Sequence, residues 1–261
     1  MTSYTLRYKG ISGRVWPIAA AGSNTGVVLR SKGLEGMVGE VDDEALSAHG
    51  VPGQVVDHQQ VGPMTGSLAV AIYPTATESV AEVVSGWRSD WSRLVGREGL
   101  LELDSPTMGV LSTPVRLAAS LPPVDDDPYG ETSIEEAEAE LVADGGVWSG
   151  PPQSGTGSVT VTNTGDVRVW PRIGWQAAGP VVLPSGASFL LPAVPAPRVL
   201  DLDPGESLEV TDAAGVLDRA VWEQVRGAVL PEGVPPGKSR TYILPAGASL
   251  RWRLGYLDPW R

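Results

Sequence analysis

The run Gly233-Val-Pro-Pro-Gly237-Lys238-Ser239 carries the residue types of a phosphate-binding loop: glycines that free backbone amides, then a lysine and a hydroxyl. Its spacing defeats that chemistry. Three residues separate the glycines where the motif has four, and Pro235 and Pro236 remove N–H donors that phosphate oxygens would need. Gly33-Leu-Glu-Gly36-Met-Val-Gly39 likewise lacks dinucleotide-binding spacing and reads as turn glycines. The two histidines, His49 and His58, lie nine residues apart in polar, Gly-rich sequence and read as loop residues rather than metal ligands or catalytic bases. Asp125 to Asp127 have the charge for calcium but not the ligand spacing, and Pro128 follows at once. Acidic residues are plentiful, yet nothing singles out two as a glycoside-cleaving pair; a cell-wall hydrolase would need them clustered in a cleft. With no cysteine, thiolate metal sites and thiol nucleophiles are excluded. The expectation is a non-enzymatic chain with no cofactor and no metal.

Nine tryptophans against one phenylalanine raise a binding question instead, because exposed indoles stack on sugars and anchor protein contacts. Trp148, Trp175, Trp252 and Trp260 are the candidate glycan or protein contacts, with core packing as the competing role. Trp87 and Trp91 share the apolar face of a helix expected over about 77–96. There Val80, Val83, Val84, Trp87, Trp91 and Leu94 keep helical spacing, with Thr77 or Ser79 to cap the start and Gly96 or Gly99 to end it.

The remaining elements read as strands. In residues 159–175 two alternating stretches, Val159/Val161 and Val167/Val169, flank a turn at Asn163-Thr-Gly165-Asp166 and predict an antiparallel pair, with Gly and Asn taking positive-φ positions. Trp170-Pro171 interrupts the second strand, since proline has no N–H to give a sheet interior. Asp203-Pro204-Gly205-Glu206 predicts a type II turn with Gly205 at positive φ. Ile134–Leu141 alternates and predicts a strand; Leu217–Val229 predicts a short helix carrying Trp222. Strands punctuated by turns every 8 to 12 residues point to a β-sandwich.

The net charge of −12 is local rather than global. Residues 125–140 hold 8 acidic and no basic side chains, whereas 1–124 hold 12 and 9, and 141–261 hold 11 and 10. Pro122-Pro123 followed by that acidic run has the composition of an exposed connector, so the predicted organisation is a first domain over 1–121, a connector over 122–136 and a second domain over 137–261. No basic patch calls for nucleic acid, and no apolar stretch is long enough for membrane insertion. The start, with Arg7 and Lys9 and no apolar run after them, does not read as a signal peptide.

Several of these segments together resemble the distal tail proteins and related minor tail proteins of long-tailed (siphovirus-type) phages, particularly those of actinobacteria. The resemblance is carried by Val161-Thr-Asn163-Thr-Gly165-Asp166 leading to Trp170-Pro171-Arg-Ile-Gly174, by Leu200-Asp-Leu-Asp203-Pro204-Gly205-Glu206, and by Leu250-Arg-Trp252 with Tyr256-Leu-Asp-Pro-Trp260. Ala143-Asp144-Gly-Gly-Val-Trp148 departs from the family's Asp-Pro-aromatic pattern. The resemblance implies a mainly β chain: an N-terminal β-rich domain with the one amphipathic helix, which assembles into a ring, expected to be a hexamer, and a C-terminal galectin-like antiparallel β-sandwich outside it. It also implies a structural virion protein at the distal end of the tail, made in the host cytoplasm, that joins the tail tube to the tip or baseplate and the host-adsorption apparatus. Its partners would be itself, the tail tube protein, the tape measure and other tail-tip proteins. Residues 37–66 are the candidate extended hairpin reaching a neighbour. The alternative function is carbohydrate-binding adsorption to a host-surface glycan through exposed tryptophans of the C-terminal sandwich.

Overall fold

A computed structural model describes residues 4–20, 25–47, 49, 53–124, 127–135 and 138–260. It is mainly β, as expected, and its contacts divide it into two compact units: residues 1–150 with 256–261, and residues 151–255. The first unit contains β1 (Thr5–Lys9), β2 (Val15–Ala19), β3 (Val27–Gly36), β4 (Val41–Leu46), β5 (Val55–Val61), β6 (Met64–Ile72), α1 (Val80–Ser89), β7 (Gly99–Ser105), β8 (Gly109–Leu117), β9 (Ile134–Glu135), β10 (Ala139–Ala143) and β11 (Trp148–Ser149). Its main sheet has the order β2-β1-β7-β8-β10-β6-β3.

The division falls at Gly150/Pro151 and corrects the expected boundary at 122–136. Charge density marks exposure, whereas pairing marks membership: β10 pairs antiparallel with both β6 and β8, and β9 pairs with β6, so these strands of the acidic stretch belong to the first unit. The strand expected over 134–141 is present as β9 and β10, with Ala139 and Leu141 buried and Glu140 exposed; Asp125 and Asp126 lie outside the described residues.

Helix α1 starts where a capping box sets it. The Ser79 hydroxyl accepts from the Glu82 N–H while the Glu82 carboxylate accepts from the Ser79 N–H at 2.7 Å, which also lowers the Glu82 carboxyl pKa. It ends at Asp90, earlier than the expected Gly96, so Leu94 is 61% exposed instead of lying on the apolar face. The reason is Asp90 itself. Its carboxylate accepts from the Trp16 indole N–H at 2.6 Å and from the Ser12 N–H, and its carbonyl accepts from the Tyr8 hydroxyl and the Ile11 N–H. Around it Tyr8 stacks on Trp91 at 3.9 Å and meets Trp87 edge-on, as Trp16 does. Burial pushes the Tyr8 phenol pKa far up, so it stays a donor.

The second unit contains β12 (Gln153–Thr156), β13 (Ser158–Thr162), β14 (Arg172–Trp175), β15 (Gly179–Val182), β16 (Ser188–Leu191), β17 (Arg198–Asp201), β18 (Val210–Thr211), α2 (Arg219–Val225), β19 (Ser239–Ile243) and β20 (Ser249–Trp252); β21 (Gly255–Tyr256) leads the chain back into the first unit. Two antiparallel sheets result, β12-β20-β14-β17-β18 and β13-β19-β15-β16. Each buries alternate residues, Ile173, Leu200 and Leu250 on one and Val161, Val181 and Tyr242 on the other. Helix α2 lies within the expected 217–229 and is capped by the Asp218 carboxylate, whose pKa is lowered chiefly by its hydrogen bond from Arg198.

Residues 159–175 are not the expected hairpin. β13 pairs with β19 and β14 with β17 and β20, so the turn carries the chain from one sheet to the other. Nor does the turn rely on positive φ at Asn163 or Gly165. Asn163, fully buried, fixes it: its amide nitrogen donates to the Val167 and Val234 carbonyls at 2.8 Å, and its amide oxygen accepts from the Gly165 N–H at 2.9 Å. Gly165 is required for space, since a Cβ there would lie 2.4 Å from the Gly255 carbonyl oxygen. Pro171 precedes β14, where its missing N–H costs the sheet nothing. Replacing Asn163 by Ala leaves those two carbonyls and one N–H without the bonds the side chain makes; the expected loss is about 3 kcal/mol, read by urea denaturation, against little change for exposed Thr164→Ala.

Candidate functional site

The loop at 233–239 uses its backbone groups internally. Gly237 donates to the Asn163 carbonyl, Lys238 to Pro235, and Val234 exchanges hydrogen bonds with Val169, so no cradle for phosphate is left. His49 and His58 are exposed, and among the described residues no three His, Cys, Asp or Glu side chains meet as a metal cluster. The Asp203–Glu206 turn closes differently from expectation. Gly205 lacks positive φ, and the Asp203 carboxylate accepts from the Gly205 N–H at 2.8 Å, a side-chain turn that replaces the type II geometry.

The tryptophan candidates separate by burial. Trp148 and Trp175 are inside, with their indole N–H groups donating to the Met37 and Pro192 carbonyls, so both are core anchors and neither is open to a ligand. Trp148 and Trp260 also belong to the first unit, where Trp260, 41% exposed, meets Tyr4 edge-on. Trp252 is half-buried and lines a groove of the second unit, together with Trp170. Read from sequence, Trp170 belongs to the turn signature; the Trp170-Pro171 break in the alternation is the signal that could place it here.

This groove, about 480 Å³, is built on the outward face of the five-stranded sheet. Register sets its floor. Arg251 of β20 lies opposite Arg172 of β14, which lies opposite Asp201 of β17. Just beyond the ends of these strands, each two residues from the first three, Arg253, Trp170 and Asp203 also line the groove. The hydrogen bond from Leu202 N–H to the Pro171 carbonyl continues the pairing past the end of β14. One paired row results, Arg251-Arg172-Asp201, with Arg253, Trp170 and Asp203 lining the groove beside it.

Asp201 organises the row. One oxygen accepts from Arg172 Nε at 2.6 Å and the other from the Asp203 N–H at 3.0 Å. Arg172 remains largely exposed, with its terminal nitrogens beyond that bond. Arg251 makes no ion pair or side-chain hydrogen bond among the described residues, and one of its terminal nitrogens lies 3.9 Å from where a Cβ on Gly174 would sit. Trp170 is held from behind by Gly233, where a Cβ would come within 2.7 Å of the ring. A neighbouring hollow shares Arg172 and Asp201 and adds Glu206 and Glu209. Carboxylates do gather here, but Asp201 is committed at both oxygens and Asp203 at one, and none sits in the apolar pocket that a general acid needs.

No protein-family model matches the sequence, and no curated protein matches it. Solved structures do. The Dit protein (gp 19.1) of phage SPP1, described as a paradigm of the hub adsorption apparatus in phages infecting Gram-positive bacteria, superposes with a TM-score of 0.62 at 11% identity, over 98% of this chain and 100% of that one. The chain shares the fold of that protein. A chain of the phage P2 baseplate in its activated conformation with Ca matches at 0.55 and 8% identity, and one in the Sr form at 0.54 and 9%, each over 97% of this chain and 98% of that one. Both units take part in the shared fold, since the likeness runs over nearly the whole of both chains.

Within the groove, Asp201→Ala strands the Arg172 Nε–H and the Asp203 N–H together. The expected cost is about 2 kcal/mol in urea unfolding, with lost order at Arg172 visible in side-chain NMR; an unchanged midpoint would mean that the pair contributes nothing.

Proposed function

We propose that this chain is a structural protein of the phage tail tip, non-enzymatic, that forms a ring, expected to be hexameric, between the tail tube and the tip or baseplate. The observation that carries this is the fold shared with the SPP1 Dit protein over 98% of the chain, despite 11% identity. A fold retained over both units without sequence likeness points to a role that depends on shape and assembly. In this reading the first unit is the ring-forming one and the second is the outer, galectin-like sandwich; tail tube protein, tape measure and other tip proteins are the partners, and the distal virion tail is the location. Among the described residues no helix is long and apolar enough to cross a membrane.

A closed ring needs two different patches on each copy. The first is the hairpin β4–β5, the two-stranded sheet that stands between the paired strands β3 and β6. Such a hairpin is marginal alone in water, and this one exposes Leu46 (70%) and Val55 (67%) beside Asp42, Asp43, Glu44 and Asp57. The second is the loop after α1, where exposed Leu94 and Val95 lie between Arg93 and Arg97. Apolar centre and opposite charge match.

An adsorption role for the second unit is the other reading, favoured by the Trp170 groove. Cryo-electron microscopy of virions tests the hub assignment: the expected result is this chain's density as a closed ring at the distal end of the tail, and density elsewhere refutes it. In cross-linking of the pure protein, Leu46→Asp with Val55→Asp is expected to remove neighbour contacts between 41–61 and 92–98 while leaving the melting temperature within about 2 °C of the parent, as surface changes do. Unaltered cross-links would exclude the hairpin patch.

A further inference from the structure

We infer that the groove of the second unit is a saccharide-binding site for a neutral, polyhydroxylated chain, with Trp170 as the stacking platform, Arg251 and Arg172 as donors and Asp203 as acceptor. The inference deepens the adsorption reading and is independent of the ring. Its basis is the juxtaposition of three sequence pairs, Trp170/Arg172, Asp201/Asp203 and Arg251/Arg253: the sheet register sets Arg172, Asp201 and Arg251 side by side, and the other three line the same groove.

Each part has a chemical reason. A sugar ring offers a weakly polar C–H face to an indole and hydroxyls around its edge, each able to donate and to accept. The groove combines an aromatic surface, Trp170, with Arg172, Arg251 and Arg253 and with Asp201 and Asp203. Like charges placed directly opposite on adjacent strands destabilise a sheet, and Arg251 opposite Arg172 is such a pair. Asp201 offsets one of them, leaving the Arg251 guanidinium for an acceptor. Asp203 binds Gly205 N–H through one oxygen, and the other remains for a hydroxyl. The pre-set orientation of Asp201, Asp203 and Trp170 by Arg172, Gly205 and Gly233 means that little ordering is needed on binding.

Charge decides between neutral and anionic glycans. Three arginines face two aspartates in the groove, and the adjoining hollow adds two glutamates, so no net positive field is available. Residues 151–255 hold nine acidic and nine basic side chains, so the second unit as a whole adds no positive field to draw a polyanion.

The test is an array of neutral hexose and pentose oligosaccharides beside uronic-acid and sialylated ones, probed with the full chain and followed by calorimetry on the best neutral probe. Binding to a neutral member, weakened at least ten-fold by Arg251→Ala and by Asp203→Asn, is the expected result. Arg251→Ala removes an exposed side chain, so an unchanged melting curve separates lost contact from lost fold; Trp170→Ala is a third variant, read only if it melts normally. Neutral binding that ignores Arg251 and Asp203 overturns the groove assignment while leaving adsorption standing. Absence of binding to any member overturns both, as does preference for the anionic probes the choice of ligand. If the groove variants instead abolish neighbour cross-links, the groove is a protein interface.

Discussion

The buried amide of Asn163 holds together what the rest of the second unit depends on. One side chain ties the Val167 carbonyl, the Val234 carbonyl and the Gly165 N–H, and its own main chain binds Gly237 and Lys238. These bonds join the end of β13 to the segment before β14 and to the loop before β19. An asparagine can meet such a set because its amide offers donors and an acceptor within a short, planar group. An aspartate of the same size would bring no donor to the two carbonyls. From this corner the chain enters Val169, Trp170 and Pro171 already aimed at the other sheet, so the placement of Trp170 in its groove follows from a hydrogen-bonding constraint several residues earlier.

Much of the architecture was legible locally, and the errors have a common physical origin. Alternation located β13, β10 and the strand around Ile173 because it reports which face is buried, a property each strand carries by itself. It does not report the partner. The turn at 163–166 therefore read as a hairpin, although β13 finds its mate in β19 far along the chain. The domain boundary failed for a related reason, since proline and charge reveal a solvated segment but not whether the strands after it pair backwards. Helix α1 was found from its apolar spacing, and its true end was hidden because Asp90 stops it through contacts to Trp16 and Tyr8 from another part of the sequence.

The site was half legible. Trp252 was singled out and does line the groove, but Trp148 and Trp175, chosen beside it, bury their rings and spend their N–H groups on carbonyls. Residue type alone cannot rank indoles by exposure. What the sequence did contain was the pairing of side chains two apart in three separate segments, two of them already conspicuous for their turn chemistry and the third for the family resemblance. Their meaning needed the register Arg251-Arg172-Asp201, which only the folded sheet supplies.

The connectivity of the first unit has a consequence in time. Residues 151–255 are inserted between β11 and the segment 256–260, and that last segment packs back on early sequence: Leu257 accepts from the Gly39 N–H, and Trp260 meets Tyr4. On the ribosome the early strands emerge first and the inserted unit next. The first unit therefore stays unfinished until everything between has been made. A chain cut short anywhere in the second unit lacks the Leu257 and Trp260 contacts, so completion of the first unit records that the whole intervening polypeptide has been translated.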